Sequence, residues 1–243
     1  MRLATVIICL VLAESVLAGS FVRAEAQADA DYGLANGHFY TQTNGGPAGS
    51  AGGFAVTDDD GVPFWEFYQR LGGTDVLGYP VTSRFVYDGF VTQAMQKAVL
   101  QWRPDVGQVY FVNTFDVLHD RGLDDWLLVY RQTPKPFDTK PDTGLPWDQV
   151  VRRHLAFLDQ NQAIKARFLS NPYWMDHYGL PVSHADMGNS FVIRAQRATF
   201  QAWKEDVPWA KAGEVTVANG GDLAKEAYLW PIEAILPQAP PTR

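Results

Sequence analysis

Two histidines and two aspartates flank a single turn in the C-terminal half of the chain. Asp176 and His177 precede residues 179–181 (Gly-Leu-Pro), and His184 and Asp186 follow them. Because Pro fixes φ and Gly permits a chain reversal, this turn could bring the two imidazoles together. Imidazole and carboxylate groups perform acid–base catalysis and bind metals at neutral pH. These four residues are therefore the best candidates for such chemistry, although surface or capping roles are the simpler interpretation, since their spacing matches no established zinc motif.

The chain has no recognisable catalytic motif. Neither a nucleophile elbow, a zincin helix, an S-x-x-K motif nor a phosphate loop is present. Residues 58–61 (Asp-Asp-Asp-Gly) resemble part of a calcium loop, but the calcium-loop spacing would place Val56 and Phe67 where acids are required, so a turn is predicted there. No cofactor and no metal is predicted. A pair of glycosidase carboxylates needs no local motif, so a secreted hydrolase stays open as an alternative.

Tryptophans are frequent, with eight in the chain, which suits either a packed core or a surface that stacks on sugar rings. Trp102 and Trp203 follow two similar segments and are predicted to lie in the core. Trp209 stands in a turn-rich insertion and is predicted to be exposed. Trp209 and Trp174 are the candidate ligand-binding tryptophans, and several tryptophans exposed together would indicate polysaccharide binding.

Glutamines recur at the same two places in two similar segments, as Gln96 and Gln101 and again as Gln196 and Gln201. Buried polar groups are normally hydrogen-bonded, so the simpler interpretation is that each amide satisfies the backbone of a neighbouring loop. Contact with a ligand is the alternative, and the four glutamines are therefore candidate ligand-binding residues.

The second half of the chain repeats the first in the same order, which is typical of one structural unit used twice. The matching segments are 78–82 with 179–183, 96–101 with 196–201, 107–109 with 213–215, and 113–116 with 219–222. In both halves a Trp stands just beyond the glutamine segment, and an aspartate (Asp116, Asp222) stands near the start of a predicted helix, where a negative charge suits the helix dipole.

These patterns predict an α+β fold in which two divergent repeats of short antiparallel strands and short helices pack as one compact body. Strands are predicted at 85–87, 90–95, 98–102, 108–112, 191–195, 198–203 and 214–217, and helices at 63–71, 114–121, 147–158, 161–169 and 221–227. The predicted organisation is a signal peptide (1–26), a flexible Gly-rich arm (27–53) with one short strand at 38–42, a first repeat unit (54–130), a Pro-rich connector (131–146), a helical pair with the second unit (147–230) and a disordered tail (231–243).

Residues 1–26 resemble a secretory signal peptide, with Arg2 before an apolar run and Ala24 and Ala26 at the cleavage point; cleavage after Ala18 is an alternative. The run is shorter than the roughly 20 residues of a membrane span, so export without a transmembrane segment is predicted in preference to a retained anchor. The only cysteine, Cys9, lies in this run. Its removal would exclude disulfides, zinc thiolates and a cysteine nucleophile.

The formal net charge of −7 argues against a nucleic-acid partner, which would require a basic face. Export places the predicted partner outside the cell, as a cell-envelope glycan or a surface protein.

Residues 77–80 (Leu-Gly-Tyr-Pro) and the stretch 96–107 resemble the LGFP repeat of secreted and cell-wall-associated bacterial proteins. The resemblance covers 64–123 well and 172–229 more loosely, because Tyr178 replaces the first Leu of the motif. It implies an envelope or extracellular binding role without catalysis.

The expected function is therefore a non-catalytic exported module, secreted or associated with the cell surface, that binds a polysaccharide or another envelope component. The alternatives are a secreted hydrolase that uses the acids and histidines near residues 176–186, and a purely structural surface protein.

Overall fold

The computed structural model describes residues 31–45 and 52–241, and the expected signal peptide lies outside them. Within these ranges, eleven strands form three small antiparallel sheets accompanied by nine α-helices, so the α+β prediction is confirmed. None of the helices in the described ranges is both long enough and apolar enough to cross a bilayer.

The first sheet is built largely from the segment expected to be a flexible arm, and this is a correction. Its strands are β1 (Tyr32–Leu34), β2 (Gly37–Tyr40) and β3 (Phe54–Thr57), in the order β1-β2-β3. Phe39 and Phe54 are almost fully buried. Burial of these two aromatic rings stabilises the sheet. The strand predicted at 38–42 corresponds to β2, whereas β1 and β3 were not predicted.

The first repeat unit consists of a helix pair, a four-stranded meander and two further helices. Its elements are α1 (Phe64–Arg70), α2 (Gly73–Leu77), β4 (Phe85–Tyr87), β5 (Phe90–Ala94), β6 (Val99–Arg103), β7 (Gln108–Phe111), α3 (Thr114–Asp120) and α4 (Asp124–Arg131). The sheet has the order β4-β5-β6-β7. Tyr68, Phe64, Met95 and Leu100 are fully buried between α1 and the sheet.

The second unit repeats this order of elements. It comprises α5 (Trp147–Leu155), a 3₁₀ segment (Ala156–Gln160), α6 (Gln162–Leu169), α7 (Trp174–Tyr178), β8 (Pro181–Asp186), β9 (Ser190–Ala195), β10 (Thr199–Trp203), β11 (Val215–Ala218), α8 (Gly220–Glu226) and α9 (Ile232–Ile235). The sheet has the order β11-β10-β9-β8, again a meander that is followed by a short helix. Its core contains Leu158, Ile164, Phe168 and Phe200.

The two units are joined by a reciprocal exchange at the starts of α3 and α8. The Phe115 N–H donates to the Gln196 carbonyl (3.0 Å), and the Gly221 N–H donates to the Gln96 carbonyl (2.9 Å). Each helix start thus finds, in the other unit, an acceptor for an N–H that has none within its own helix. A Cβ on Gly221 would lie 1.7 Å from the Met95 carbonyl oxygen, so this close approach requires glycine.

A buried arginine fixes the same junction. The Arg194 side chain on β9 is 0 % exposed and donates to Asp124 Oδ1 (2.8 Å) at the start of α4. It also donates to the carbonyls of Phe115 (2.7 Å) and Pro134 (3.1 Å). One side chain of unit two therefore holds two helices of unit one and the connector.

The C-terminal segment differs from the disordered tail expected from the sequence. Ala234 and Ile235 of α9 are buried, and Ile235 belongs to a core cluster with Trp230. Gly53 and Gln238 exchange backbone hydrogen bonds of 2.9 Å in each direction. Burial of these apolar side chains offsets the proline content that suggested disorder.

The Pro-rich connector follows the surface of the second unit, with a single 3₁₀ turn (Lys140–Asp142). Thr133 and Pro134 are buried, and the Phe137 N–H donates to the Val182 carbonyl (3.0 Å). The connector thus adds to the packing between units.

Candidate functional site

A cleft of about 710 Å³ lies where the two units meet. Equivalent positions of both units line it, among them Ala98 with Ala198 and Phe111 with Val217. We call this space the inter-unit cleft. It is lined, in full, by Arg70, Leu71, Asp75, Val76, Leu77, Lys97, Ala98, Phe111, Arg167, Ser170, Asn171, Pro172, Tyr173, His177, Tyr178, Ala198, Val215, Thr216 and Val217.

The cleft continues along β7 as two further depressions of about 420 Å³ and 480 Å³. Arg70 lines all three spaces and Phe67 lines both depressions, so the three are neighbours, and we call them together the groove. Its far end is lined by Trp102 and Glu66. The groove therefore presents three neighbouring spaces to an extended ligand.

Aromatic side chains recur along this groove. Tyr173 is 62 % exposed and Tyr110 is 47 % exposed, so both rings are accessible to a ligand in the groove. The Phe111 ring lies 5.7 Å from the ring of Phe67 and 5.3 Å from the ring of His177. These contacts hold the inner rings in place while the two tyrosines face the open side.

His177 is oriented by a short chain of hydrogen bonds. The Tyr173 N–H donates to Asn171 Oδ1 (2.9 Å), which directs the Asn171 Nδ2 group towards His177 Nδ1 (2.8 Å). Because Nδ2 can only donate, His177 Nδ1 must accept, and the ring proton lies on Nε2. Burial lowers the pKa of His177, so the ring is neutral at neutral pH and offers Nε2–H as a donor.

Three cations line the inter-unit cleft: Arg70, Lys97 and Arg167, all exposed. The Arg70 guanidinium lies over the Phe67 ring at 5.2 Å, and Lys97 Nζ donates to the Asp75 carbonyl (2.8 Å). These groups keep their charges available to the cleft.

Arg197 lines the neighbouring depression but has a structural role. Its guanidinium donates to the carbonyls of Met175 (2.8 Å) and Asp176 (2.6 Å), and burial lowers its pKa. Arg197 therefore fixes the end of α7, which presents His177 to the cleft.

The Gly-Leu-Pro turn does not assemble the four predicted acid–base residues. Asp176 and His177 line the depression beside the cleft. The His184 ring instead lies 5.1 Å from the Phe137 ring and 6.0 Å from the Phe191 ring. Asp186 is exposed and pairs with Lys204 (2.5 Å), which lowers its pKa. The two histidines thus lie in separate environments.

No group of three or more metal-binding side chains occurs among the residues for which coordinates are described. The predicted turn at 58–61 is a 3₁₀ segment (Asp59–Gly61). Asp58 precedes it, and Asp58 Oδ1 accepts from the N–H groups of Trp65 (2.8 Å) and Glu66 (3.1 Å) at the start of α1.

Gln96 and Gln196 satisfy loop backbone. Gln96 Oε1 accepts from the Tyr79 N–H (3.0 Å), and Gln196 Oε1 accepts from the Leu180 N–H (3.0 Å). Gln196 Nε2 also donates to Asp116 of the other unit (2.9 Å). These two amides are engaged by the protein itself.

The aspartates that these amides reach lie at equivalent helix starts. Gln96 Nε2 lies 3.4 Å from Asp222 Oδ2, and Asp222 also accepts from Asn219 Nδ2 (2.9 Å). Burial raises the pKa of both Asp116 and Asp222, although the amide hydrogen bonds oppose that shift. Both carboxylates belong to the junction between the units rather than to the groove.

The other two candidate glutamines, Gln101 on β6 and Gln201 on β10, do not line the groove. Gln101 Nε2 donates to the Tyr87 carbonyl (3.2 Å) and lies 3.3 Å from Thr92 Oγ1. Gln201 is half-buried on β10, opposite Thr216 in the register with β11.

The two candidate ligand-binding tryptophans, Trp209 and Trp174, lie in different environments. Trp209 is 67 % exposed, and its ring meets the buried Trp203 edge-on at 5.6 Å. Trp174 is half-buried against Phe168 (5.5 Å). Neither Trp209 nor Trp174 lines the groove.

The pairing of Trp102 with Trp203 needs correction. Leu100 on β6 and Phe200 on β10 occupy equivalent core positions. Two residues later on the same strand faces stand Trp102 and Ala202, so Trp102 is equivalent to Ala202. Trp203 lies on the opposite face, where its Nε1–H donates to Thr216 Oγ1 (2.9 Å).

Four exposed residues that line the groove were not predicted from the sequence: Arg70, Tyr110, Arg167 and Tyr173. None of them belongs to a repeated segment or a motif, so comparison of the two halves could not identify them. The one indication in the sequence was the position of Tyr173 directly after a turn signal, residues 171–172 (Asn-Pro), where a side chain is commonly exposed.

No protein-family model matches the chain, and no curated protein matches it at a significant level. The resemblance to the LGFP repeat therefore stays a prediction.

Proposed function

We propose that the protein is an exported, non-catalytic module whose groove binds an extended polysaccharide of the cell envelope. The observation that supports this most strongly is the succession of three neighbouring spaces, two of them lined by both units and by exposed tyrosines. A polymer needs several weak contacts in a row, which a groove supplies and a single closed pocket does not.

Sugar rings present apolar C–H faces together with hydroxyl groups. Tyr110 and Tyr173 offer aromatic faces for the former and hydroxyls for the latter, at low conformational cost. Trp102 at the far end adds a third ring. Asn171 and the His177 Nε2–H supply polar contacts that orient a ligand, as small numbers of polar groups do in ligand sites.

The hydrolase alternative now depends on Asp176 and His177 alone, because His184 and Asp186 lie elsewhere. His177 Nδ1 is occupied by Asn171, and Asp176 is exposed. Incubation of the protein with each bound polysaccharide, followed by a reducing-sugar assay, tests this alternative directly. The purely structural alternative predicts no glycan binding at all.

The proposal is tested by binding to insoluble peptidoglycan and to a panel of soluble oligosaccharides, with Trp fluorescence as the soluble readout. Tyr110→Ala and Tyr173→Ala should each weaken binding about fivefold or more, as loss of an interface contact of about 1 kcal/mol does. The matched control is Tyr130→Ala, since Tyr130 is 65 % exposed on α4, outside the groove.

Trp209→Ala separates the groove from the exposed-tryptophan hypothesis. If the groove is the binding site, Trp209→Ala should bind the glycan with unchanged affinity. Binding that is lost in Trp209→Ala and kept in Tyr173→Ala would place the site on the β10–β11 insertion instead. Absence of binding to every glycan would contradict the proposed function.

A further inference from the structure

We infer that the inter-unit cleft binds the acidic groups of a glycan, with Arg70, Lys97 and Arg167 holding a carboxylate or phosphate. This inference rests on the proposed function, because it names the class of glycan that the groove would take. It depends on the charges in the cleft rather than on its aromatic rings.

The three cations are concentrated in a protein that is acidic overall. The net charge of the chain is −7, yet the cleft lining contains three Lys and Arg side chains and one carboxylate, Asp75. Cations that line the same partly enclosed space repel one another. A bound anion would relieve that repulsion, and a concave site focuses the resulting field on the ligand.

Among the described residues, none of the three cleft cations pairs with a carboxylate, which is also true of Arg84, Arg121, Arg197 and Lys225. Five arginines elsewhere form ion pairs with aspartate or glutamate. Arg70 lies over an aromatic ring instead, and Lys97 Nζ donates to a backbone carbonyl. Their charges are thus not neutralised by the fold.

Arginine suits this task because its planar fork can donate two parallel hydrogen bonds to a carboxylate or phosphate. His177 adds a neutral donor, since Asn171 occupies its Nδ1 and leaves Nε2–H free. The cleft lining therefore contains both charged and neutral donors for the oxygens of acidic groups.

The test compares three probes of equal length by calorimetry: a galacturonic acid trimer, the same trimer with its carboxyls reduced, and a glycerol phosphate trimer. The acidic sugar trimer should bind about tenfold or more tightly than its reduced counterpart, and the difference should shrink between 50 and 300 mM salt because salt screens charges. The relative affinity of the phosphate trimer shows which anion the cleft prefers, and tight binding of either acidic probe supports the inference.

Arg70→Gln and Arg167→Gln should each weaken binding of the acidic trimer about tenfold, as loss of one charge-assisted contact does, without changing binding of the reduced trimer. The matched control is Arg152→Gln, since Arg152 is exposed on α5 and pairs only with Asp148. Both cleft arginines are exposed, so these variants should fold, and their thermal midpoints check this.

Equal binding of the acidic and reduced trimers, unchanged in Arg167→Gln, would overturn the inference while leaving the proposed function intact. An equal effect of Arg152→Gln would also overturn it, because general attraction of an anion would then explain the data. If no trimer binds and the polysaccharide panel is negative as well, the proposed function itself fails.

Discussion

Replacement of Arg194 by Ala should destabilise the protein more than any surface change, because this side chain connects the two units. The substitution gives unit two the residue found at the equivalent place in unit one, Ala94. It removes the bond to Asp124 (2.8 Å) and the bonds to the carbonyls of Phe115 (2.7 Å) and Pro134 (3.1 Å). It also leaves a cavity, since Arg194 is 0 % exposed.

The expected cost is about 3 to 4 kcal/mol. Breaking a buried ion pair by removing one partner costs about 3–5 kcal/mol. The lower part of that range applies, because Asp124 is 14 % exposed and keeps its contact with His119. A domain of this size loses about 2–4 °C of thermal midpoint per kcal/mol, so the midpoint should fall by about 6–16 °C.

The effect should depend on pH. Burial would raise the pKa of Asp124, but hydrogen bonds from Arg194 and His119 outweigh burial and hold it below the usual 3.8. A carboxyl whose folded pKa is depressed contributes stability above its unfolded pKa and loses it as pH falls through the folded value. The difference between wild type and Arg194→Ala should therefore be full at pH 7 and shrink below about pH 4.

Urea unfolding followed by Trp fluorescence at pH 7 and at acid pH measures this difference. Arg194→Lys should recover part of the loss, since it restores charge but not the fork. Arg152→Ala, at an exposed ion pair, should change stability by less than about 0.5 kcal/mol. A loss under about 1 kcal/mol in Arg194→Ala at pH 7 would show that Arg194 does not hold the two units together.

Two further substitutions test the junction between the units. Gly221→Ala should cost about 3 kcal/mol in unfolding free energy, because its Cβ would lie 1.7 Å from the Met95 carbonyl oxygen, whereas Gly33→Ala meets nothing within 4 Å and should be nearly neutral in the same urea experiment. Asp116→Asn keeps an acceptor for Gln196 but removes a carboxyl whose pKa burial raises. A carboxyl with a raised folded pKa destabilises the folded state when it is ionised, and this cost disappears as pH falls through the folded pKa. The unfolding free energy of the wild type should therefore rise relative to that of Asp116→Asn between pH 7 and 4. Equal dependence of the two unfolding free energies on pH would contradict the raised pKa.

Much of the local structure could be predicted from the sequence, because turns and caps mark its boundaries. The strand predicted at 85–87 is β4 (Phe85–Tyr87), between turn signals on either side. Asn161 caps α6 as predicted and accepts from the Ile164 N–H (3.0 Å). Such features depend on neighbouring residues only.

Elements that depend on tertiary contacts were missed. The strand β8 (Pro181–Asp186) has a polar sequence and forms because it pairs along β9. The helix α4 (Asp124–Arg131) has one fully buried side chain, Leu127, so its apolar pattern is weak. Trp203 is buried, as predicted, but it is not the counterpart of Trp102, since Ala202 separates it from Gln201 and a one-residue shift reverses the face of a strand residue.

The groove could not be predicted because its two most exposed tyrosines belong to different units. Tyr110 lies on β7 and Tyr173 lies just before α7, and packing of the whole units brings both to one groove. The spacing of residues along the chain does not indicate that these two side chains line the same groove.

Hydrogen exchange with and without the galacturonic acid trimer tests most directly whether the groove is the binding site. If the groove is the binding site, backbone amides in residues 70–77, 108–111 and 167–178 should gain protection, and those in the Trp209 insertion at residues 204–213 should not. Protection confined to the insertion, or absent throughout at saturating ligand, would contradict this prediction.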